Sequence, residues 1–266
     1  MRMTSIALGA IFLLGTTVGC MAQSAQVCQN FGPQTPRDIA QRDGSNPRNF
    51  PLAPAASAMN LCNIHFHNNA EHKGPGFMKV AAKGEAAGHG GGAGFQCNAT
   101  DTLTAAELKA PATQVCKGLK PGDTIEVHWV YSSCAVAPGK GLTACSSAAC
   151  ANPTLRVESQ VFLVVNDSAA LDFRRFDYSG AAVKGLHQAK ALPAGTPVVF
   201  RGSTTGPDYT EQKCSPLQAT WSVRPTCAKV DINSLGAWCG GNVFAEDHGH
   251  GVRPLVTAPA LLDKIR

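Results

Sequence analysis

Residues 123–134 read DTIEVHWVYSSC. Apolar and polar side chains alternate through this stretch, which is the period of a half-buried β-strand. Ile125, Val127, Trp129 and Tyr131 share one face, and Glu126, His128 and Val130 share the other. Residues 60–69, NLCNIHFHNN, repeat the pattern. Asn63, His65 and His67 are expected to point one way, with Cys62, Ile64 and Phe66 pointing the other way into a core. Further β-branched or aromatic runs at 157–165, 197–201 and 220–223 are separated by Gly and Pro turns. The run QVFLVV, residues 160–165, is apolar almost throughout, as expected of a strand covered on both faces.

These runs predict a mainly β fold: a single domain around a central, largely antiparallel sheet, with few short helices. One such helix is expected at 101–110, with Asp101 as N-cap. Residues 23–58, rich in Pro, Asn and Arg, are expected to form an irregular N-terminal arm over the surface of the domain at 59–266. GEAAGHGGGAG, residues 84–94, reads as a flexible loop, and 132–153 as a Ser/Ala/Cys loop held by disulfides.

Arg2 precedes an apolar stretch, residues 6–18, too short to span a bilayer but suited to the core of a secretory signal. Residues 1–22 are therefore expected to be a signal peptide cleaved after Ala22. Thr17-Val18-Gly19-Cys20 also resembles a lipoprotein processing site, with Cys20 as the lipid-anchored residue. No other apolar segment is long enough to cross a membrane, so an exported protein is expected, periplasmic or extracellular. The chain has eleven cysteines; setting Cys20 aside leaves ten, which in an exported chain read as five disulfides of open pairing. No paired C-x-x-C motif favours cysteine-bound zinc. The formal net charge of +5 is spread without a lysine or arginine run, which argues against a nucleic-acid partner.

Two imidazoles at i and i+2 on one strand face lie about 7 Å apart, close enough to share a metal. His128, on the polar face of a second strand, is the natural third ligand. Three neutral histidines leave a tetrahedral metal one open position, the form of a catalytic site. Metal-bound histidines donate their second N–H to an outer acceptor. Asn63 and Glu126, each two residues before a histidine, are candidates to serve a ligand on an adjacent strand.

The motif order resembles that of the carbonic anhydrases. The alpha class carries Gln-x-His-x-His, then Ser-Glu-His, then Glu-x-His, and later Gly-Ser-Leu-Thr-Thr-Pro-Pro before Thr-Trp. Here the order is Asn63-Ile64-His65-Phe66-His67, Ala70-Glu71-His72, Glu126-Val127-His128, Gly202-Ser203-Thr204-Thr205-Gly206-Pro207 and Thr220-Trp221. The cysteine-rich frame and the strings CNIHFHNNAEHKG, RGSTTGPDYT and WSVRP look most like the delta class. Departures are the short spacing from His67 to Glu71, the missing Leu before the Thr pair, and a longer interval before Trp221.

The resemblance implies an alpha-carbonic-anhydrase-like fold. It also implies zinc, or cobalt or cadmium in its place, on His65, His67 and His128, and attack of zinc-bound hydroxide on carbon dioxide to give bicarbonate. Thr204 would orient the hydroxide and Glu71 would fix the Thr204 hydroxyl, with Thr205 as the alternate gate. Val130 would line the apolar substrate pocket. His72, His89, His187, His248 and His250 are candidates to carry the proton out; EDHGHGVRP, residues 246–254, otherwise reads as a structural or surface loop. Two rival readings use the same residues. A cupin would bind iron or manganese through His65, His67 and Glu71, and a non-catalytic exported module would hold zinc without turnover.

Overall fold

A computed structural model of the protein describes residues 26–82, 91–113, 115–204, 206 and 208–266. The expected signal peptide, Cys20, His89 and Thr205 lie outside the described residues.

The architecture is mainly β around one five-stranded mixed sheet. Its strands are β1 (Asn60–Asn68), β4 (Thr124–Ser132), β5 (Leu155–Val165), β9 (Gln218–Asp231) and β8 (Val198–Ser203), in that spatial order. Pairing is antiparallel except between β5 and β9. Short strands β2 (Lys79–Val80) and β3 (Phe95–Gln96) pair separately, as do β6 (Tyr178–Val183) and β7 (Leu186–Ala189). The β6–β7 hairpin turns on Lys184 and Gly185, both at positive φ, the twist that favours two-residue hairpin loops.

The sheet separates two cores. On one side, Ile64, Phe66, Val127, Trp129 and Phe162 pack against Phe173, Phe176 and Trp238. On the other, Val130, Val157, Val161 and Leu163 pack with Phe200, Trp221 and Val223. β5 contributes to both, so its apolar run is covered on two faces as expected.

Three details depart from the sequence expectation. The register slips between Leu61 and Asn63. This bulge turns Leu61 to the Ile64 side and Cys62 to the Val130 side, against strict alternation. Residues 101–110 are not a helix: a 3-10 turn spans Asn98–Thr102, with Asp101 inside it rather than capping it. Leu108 is exposed, so this segment has no buried apolar stripe to stabilise a helix too short to persist alone. The one α-helix among the described residues, α1 (Ile232–Cys239), follows β9 directly; Asp231 caps it by accepting from the Asn233 and Ser234 amides. The N-terminal arm has no strand or helix before the 3-10 turn at Ala56–Ala58, yet residues 32–37 are buried rather than laid over the surface.

All ten remaining cysteines pair: Cys28–Cys214, Cys62–Cys145, Cys97–Cys227, Cys116–Cys239 and Cys134–Cys150. Such a set fits an oxidising compartment. No described helix is long and apolar enough to cross a membrane. Replacing Cys97 and Cys227 together by Ser opens a link across 130 residues and should cost about 2–5 kcal/mol in urea unfolding; an unchanged midpoint would contradict a stabilising role.

Candidate metal centre

β1 and β4 pair in a register that sets His65 opposite His128 and His67 opposite Glu126. All four side chains therefore project from one face of adjacent strands. The ligand-type nitrogens of His65, His67 and His128 lie within 4.8 Å of one another. Ring centroids are 5.2 Å apart for His65–His67, 5.1 Å for His65–His128 and 4.8 Å for His67–His128.

Each ring has an oxygen acceptor on its far nitrogen. His65 Nδ1 is 2.6 Å from Asn63 Oδ1, His67 Nδ1 is 2.9 Å from the Gly251 carbonyl, and His128 Nε2 is 3.1 Å from Glu126 Oε1. A carbonyl or carboxylate oxygen can only accept, so each imidazole carries its N–H on that side. The lone pairs then sit on His65 Nε2, His67 Nε2 and His128 Nδ1. His128 Nδ1 and His65 Nε2 are 3.3 Å apart, two acceptors that face each other comfortably only around a cation. Asn63 and Glu126 thus reach histidines two residues on along their own strands, not ligands on a neighbouring strand.

Burial favours the neutral rings. It holds the His65 pKa well below the usual imidazole range, with His128 and His67 adding to the effect. It lowers His67 to about 4 against the opposing pull of Glu71. Neutral imidazoles are the form that binds metal.

Glu126 is the hub. Its carboxylate accepts from the Glu71 amide at 2.6 Å, the His72 amide at 2.9 Å, His72 Nδ1 at 2.8 Å, His128 Nε2 at 3.1 Å and the Ser159 hydroxyl at 2.6 Å. Burial alone would raise its pKa, but His72 and His128 outweigh it and hold the group well below the usual range. His72, Glu126 and His128 also converge closely enough to suggest a second metal group. Because amide and hydroxyl donors already fill the Glu126 oxygens, this trio reads as a hydrogen-bonded network.

A cavity of about 470 Å³ opens over the three histidines. Val130, Leu142, Val157 and Trp221 form its apolar lining, and Glu71 and Thr204 line it as well. Glu71 Oε2 and Thr204 Oγ1 are buried without a hydrogen-bond partner. Burial raises the Glu71 pKa, yet His67, Arg253, His128 and His72 together bring it below the ordinary value. Glu71 is absent from the groups of converging donor atoms among the described residues, so it does not supply the third ligand a cupin would need.

The segment 246–253 is not a mere surface loop. His250 bridges to His67: its amide donates to the Phe66 carbonyl and its carbonyl accepts from Asn68, both at 2.8 Å. This contact covers the open edge of β1 and brings Glu246, His248, His250, Gly251 and Arg253 to the cavity. Sequence reading missed Gly251 and Arg253. A backbone carbonyl acceptor has no residue-type signal, and Arg253 was one of many scattered charges. Of the other histidines weighed for proton transfer, His72 is enclosed against Glu126 and Trp221. His187 lies on the β6–β7 hairpin, 2.7 Å from the Tyr178 hydroxyl.

A family model described as delta carbonic anhydrase matches residues 56–234. This span takes in His65, His67, Glu71, His128 and Thr204, and stops short of Gly251 and Arg253. No curated protein matches the chain.

The buried rings set a pH dependence. An unfolded imidazole binds its proton near pH 6.5, whereas folded His67 resists protonation down to about 4. Between these values the unfolded state holds more protons, so stability of the metal-free protein rises with pH across the window and is lost on acidification. His67 alone should remove on the order of 3 kcal/mol, read as a falling denaturant midpoint; a flat midpoint from about pH 6.5 to about pH 4 would refute the assignment.

Proposed function

The chain belongs to the delta carbonic anhydrase family, and on that premise we propose that it catalyses the reversible hydration of carbon dioxide to bicarbonate and a proton, with zinc held by His65, His67 and His128. The observation that carries the reading is the convergence of three imidazole lone pairs beneath an apolar cavity that also holds the unpartnered Thr204 Oγ1 and Glu71 Oε2. Zinc in carbonic anhydrases is known to lower the pKa of a bound water to about 7, and three neutral nitrogen ligands also suit cobalt or cadmium.

The chain's own residues supply the rest. Val130, Val157, Leu142 and Trp221 give carbon dioxide an apolar wall and keep bulk water out of its path. Glu71, held ionised, can only accept. In the working site it would accept the Thr204 hydroxyl proton, a bond that neither buried oxygen makes in this structure, so that Thr204 Oγ1 would turn its lone pairs to the cavity and orient the attacking oxygen. Thr205 remains the alternate gate. Asn63, Glu126 and the Gly251 carbonyl fix ring orientation and tautomer. His250, whose Nε2 lies 2.8 Å from Glu246 Oε2 at the cavity wall, takes the proton toward His248 and solvent. Residues 59–266 form the catalytic domain, and export follows a signal at 1–22 or lipid anchoring at Cys20, to the periplasm or the outside.

Metal analysis should return about one zinc per chain, the complement of a single three-histidine site, and stopped-flow assays should show carbon dioxide hydration that His128→Ala abolishes. Full hydration in that variant would sink the ligand set. Iron without hydration would overturn the zinc reading, and zinc without hydration would favour the binding module. Glu126→Gln, which cannot accept from so many donors, should weaken zinc binding about 10–100-fold, measured by competition with a chelator; unchanged affinity would deny Glu126 its orienting role.

A further inference from the structure

The N-terminal arm enters the protein beside the gate. Gln34 and Thr35 are buried against Ser203, the residue before Thr204. The Thr35 hydroxyl donates to the Ser203 carbonyl at 2.5 Å, and the Thr35 amide donates to Ser203 Oγ at 3.3 Å. Gln34 Oε1 accepts from Ser203 Oγ at 3.3 Å and from the Ser215 amide at 2.9 Å. Thr35 fits here because position 202 is glycine: a Cβ on Gly202 would lie 2.2 Å from Thr35 Cγ2. On its other side the Thr35 carbonyl accepts from Arg253 Nη2. Arg253 Nη1 donates to the Tyr209 carbonyl at 3.1 Å, while Nε, otherwise unpartnered, lies 3.8 Å from Glu71 Oε1.

Thr35 is therefore one residue removed from each half of the proposed gate, and it does not line the cavity. One link runs through Ser203 to Thr204, and the other runs through Arg253 to Glu71. We propose that Thr35 is a positioning residue that sets the Thr204 hydroxyl and the Glu71 carboxylate in register, so the arm is a working part of the active site rather than a covering. Both Thr35 and Arg253 lie outside the stretch matched by the family model, so the clamp rests on this chain's own contacts and not on that match.

The physical demand is directional. Thr204 has one rotatable hydroxyl and one covalent tether to the sheet. The tether is fixed by its amide, which donates to the Leu217 carbonyl at 2.9 Å, and by the bonds on Ser203 just before it. Trp221 Nε1 donates to the same Ser203 carbonyl at 3.1 Å. Without the Thr35 hydroxyl, that carbonyl keeps only the indole, and the backbone before Thr204 gains freedom. A small misplacement of an orienting group can cost a large factor in rate.

The test uses the full mature chain with Thr35→Val, which keeps the shape and removes the hydroxyl, and Thr35→Ser, which restores it. Hydrogen exchange on the metal-free protein is expected to be faster in Thr35→Val across the peptide holding Ser203 and Thr204, and at wild-type rate in Thr35→Ser. With zinc bound, Thr35→Val should lose about tenfold in kcat with KM and zinc content unchanged and a single cooperative melting transition retained, and Thr35→Ser should recover. Wild-type exchange and kcat in Thr35→Val would overturn the proposal. So would a Thr35→Ser variant as impaired as Thr35→Val, or a loss of kcat that follows loss of zinc or of the melting transition. The kinetic arm rests on the carbonic anhydrase reading; the exchange arm does not. A wild-type protein with no hydration activity would defeat that reading, while the exchange comparison still decides whether the clamp exists.

Discussion

A carboxylate taken fully out of water must be compensated, and Glu126 is compensated by five donors. Those donors come from three separate places: the turn after β1, its own strand β4, and Ser159 on β5. Satisfying Glu126 therefore fixes the turn at residues 69–72 against the sheet, and Asn69 takes a positive φ to make that turn. The same bonds aim His128 Nδ1 at His65 and bring Glu71 to the cavity. The histidine cluster, the Glu71 carboxylate and the local chain path are one electrostatic solution.

Charge is arranged around that solution with economy of sign. Burial opposes protonation of the His65 and His67 rings. Both carboxylates stay ionised in spite of burial, each because cationic or hydrogen-bonding partners surround it. Two carboxylates beside converging imidazole nitrogens make a setting that suits a divalent cation.

The sheet and the three histidines were legible because period-two alternation is a local signal that survives in the fold. DTIEVHWVYSSC and NLCNIHFHNN could be placed on strands, and their polar faces compared, without knowing anything else. The bulge at Cys62 was not legible, since a one-residue slip leaves composition unchanged. Nor was α1, eight residues long and entered straight from a strand. The proposed helix at 101–110 had propensity but no apolar face to bury. The largest omissions share one cause. Gly251, Arg253 and Thr35 act through backbone carbonyls or contacts over more than 180 residues of sequence, and such contacts leave no periodic trace. The resemblance supplied motif order, which is why Glu71 and Thr204 could be named while the segments that hold them could not.

That long reach governs when the centre can exist. Residue 35 meets residues 203 and 253, His67 needs the carbonyl of residue 251, and Cys28 is joined to Cys214. A nascent chain displays His65, His67 and His128 once residue 128 has emerged, yet it cannot orient His67 or enclose the cavity until residues 246–253 follow. Assembly of the pocket is thus a late event with high contact order, and slow by topology. Until then the imidazoles are hydrated, protonatable and poor chelators. A metal held by these histidines, as proposed, would be selected by a chain whose last segment has already docked.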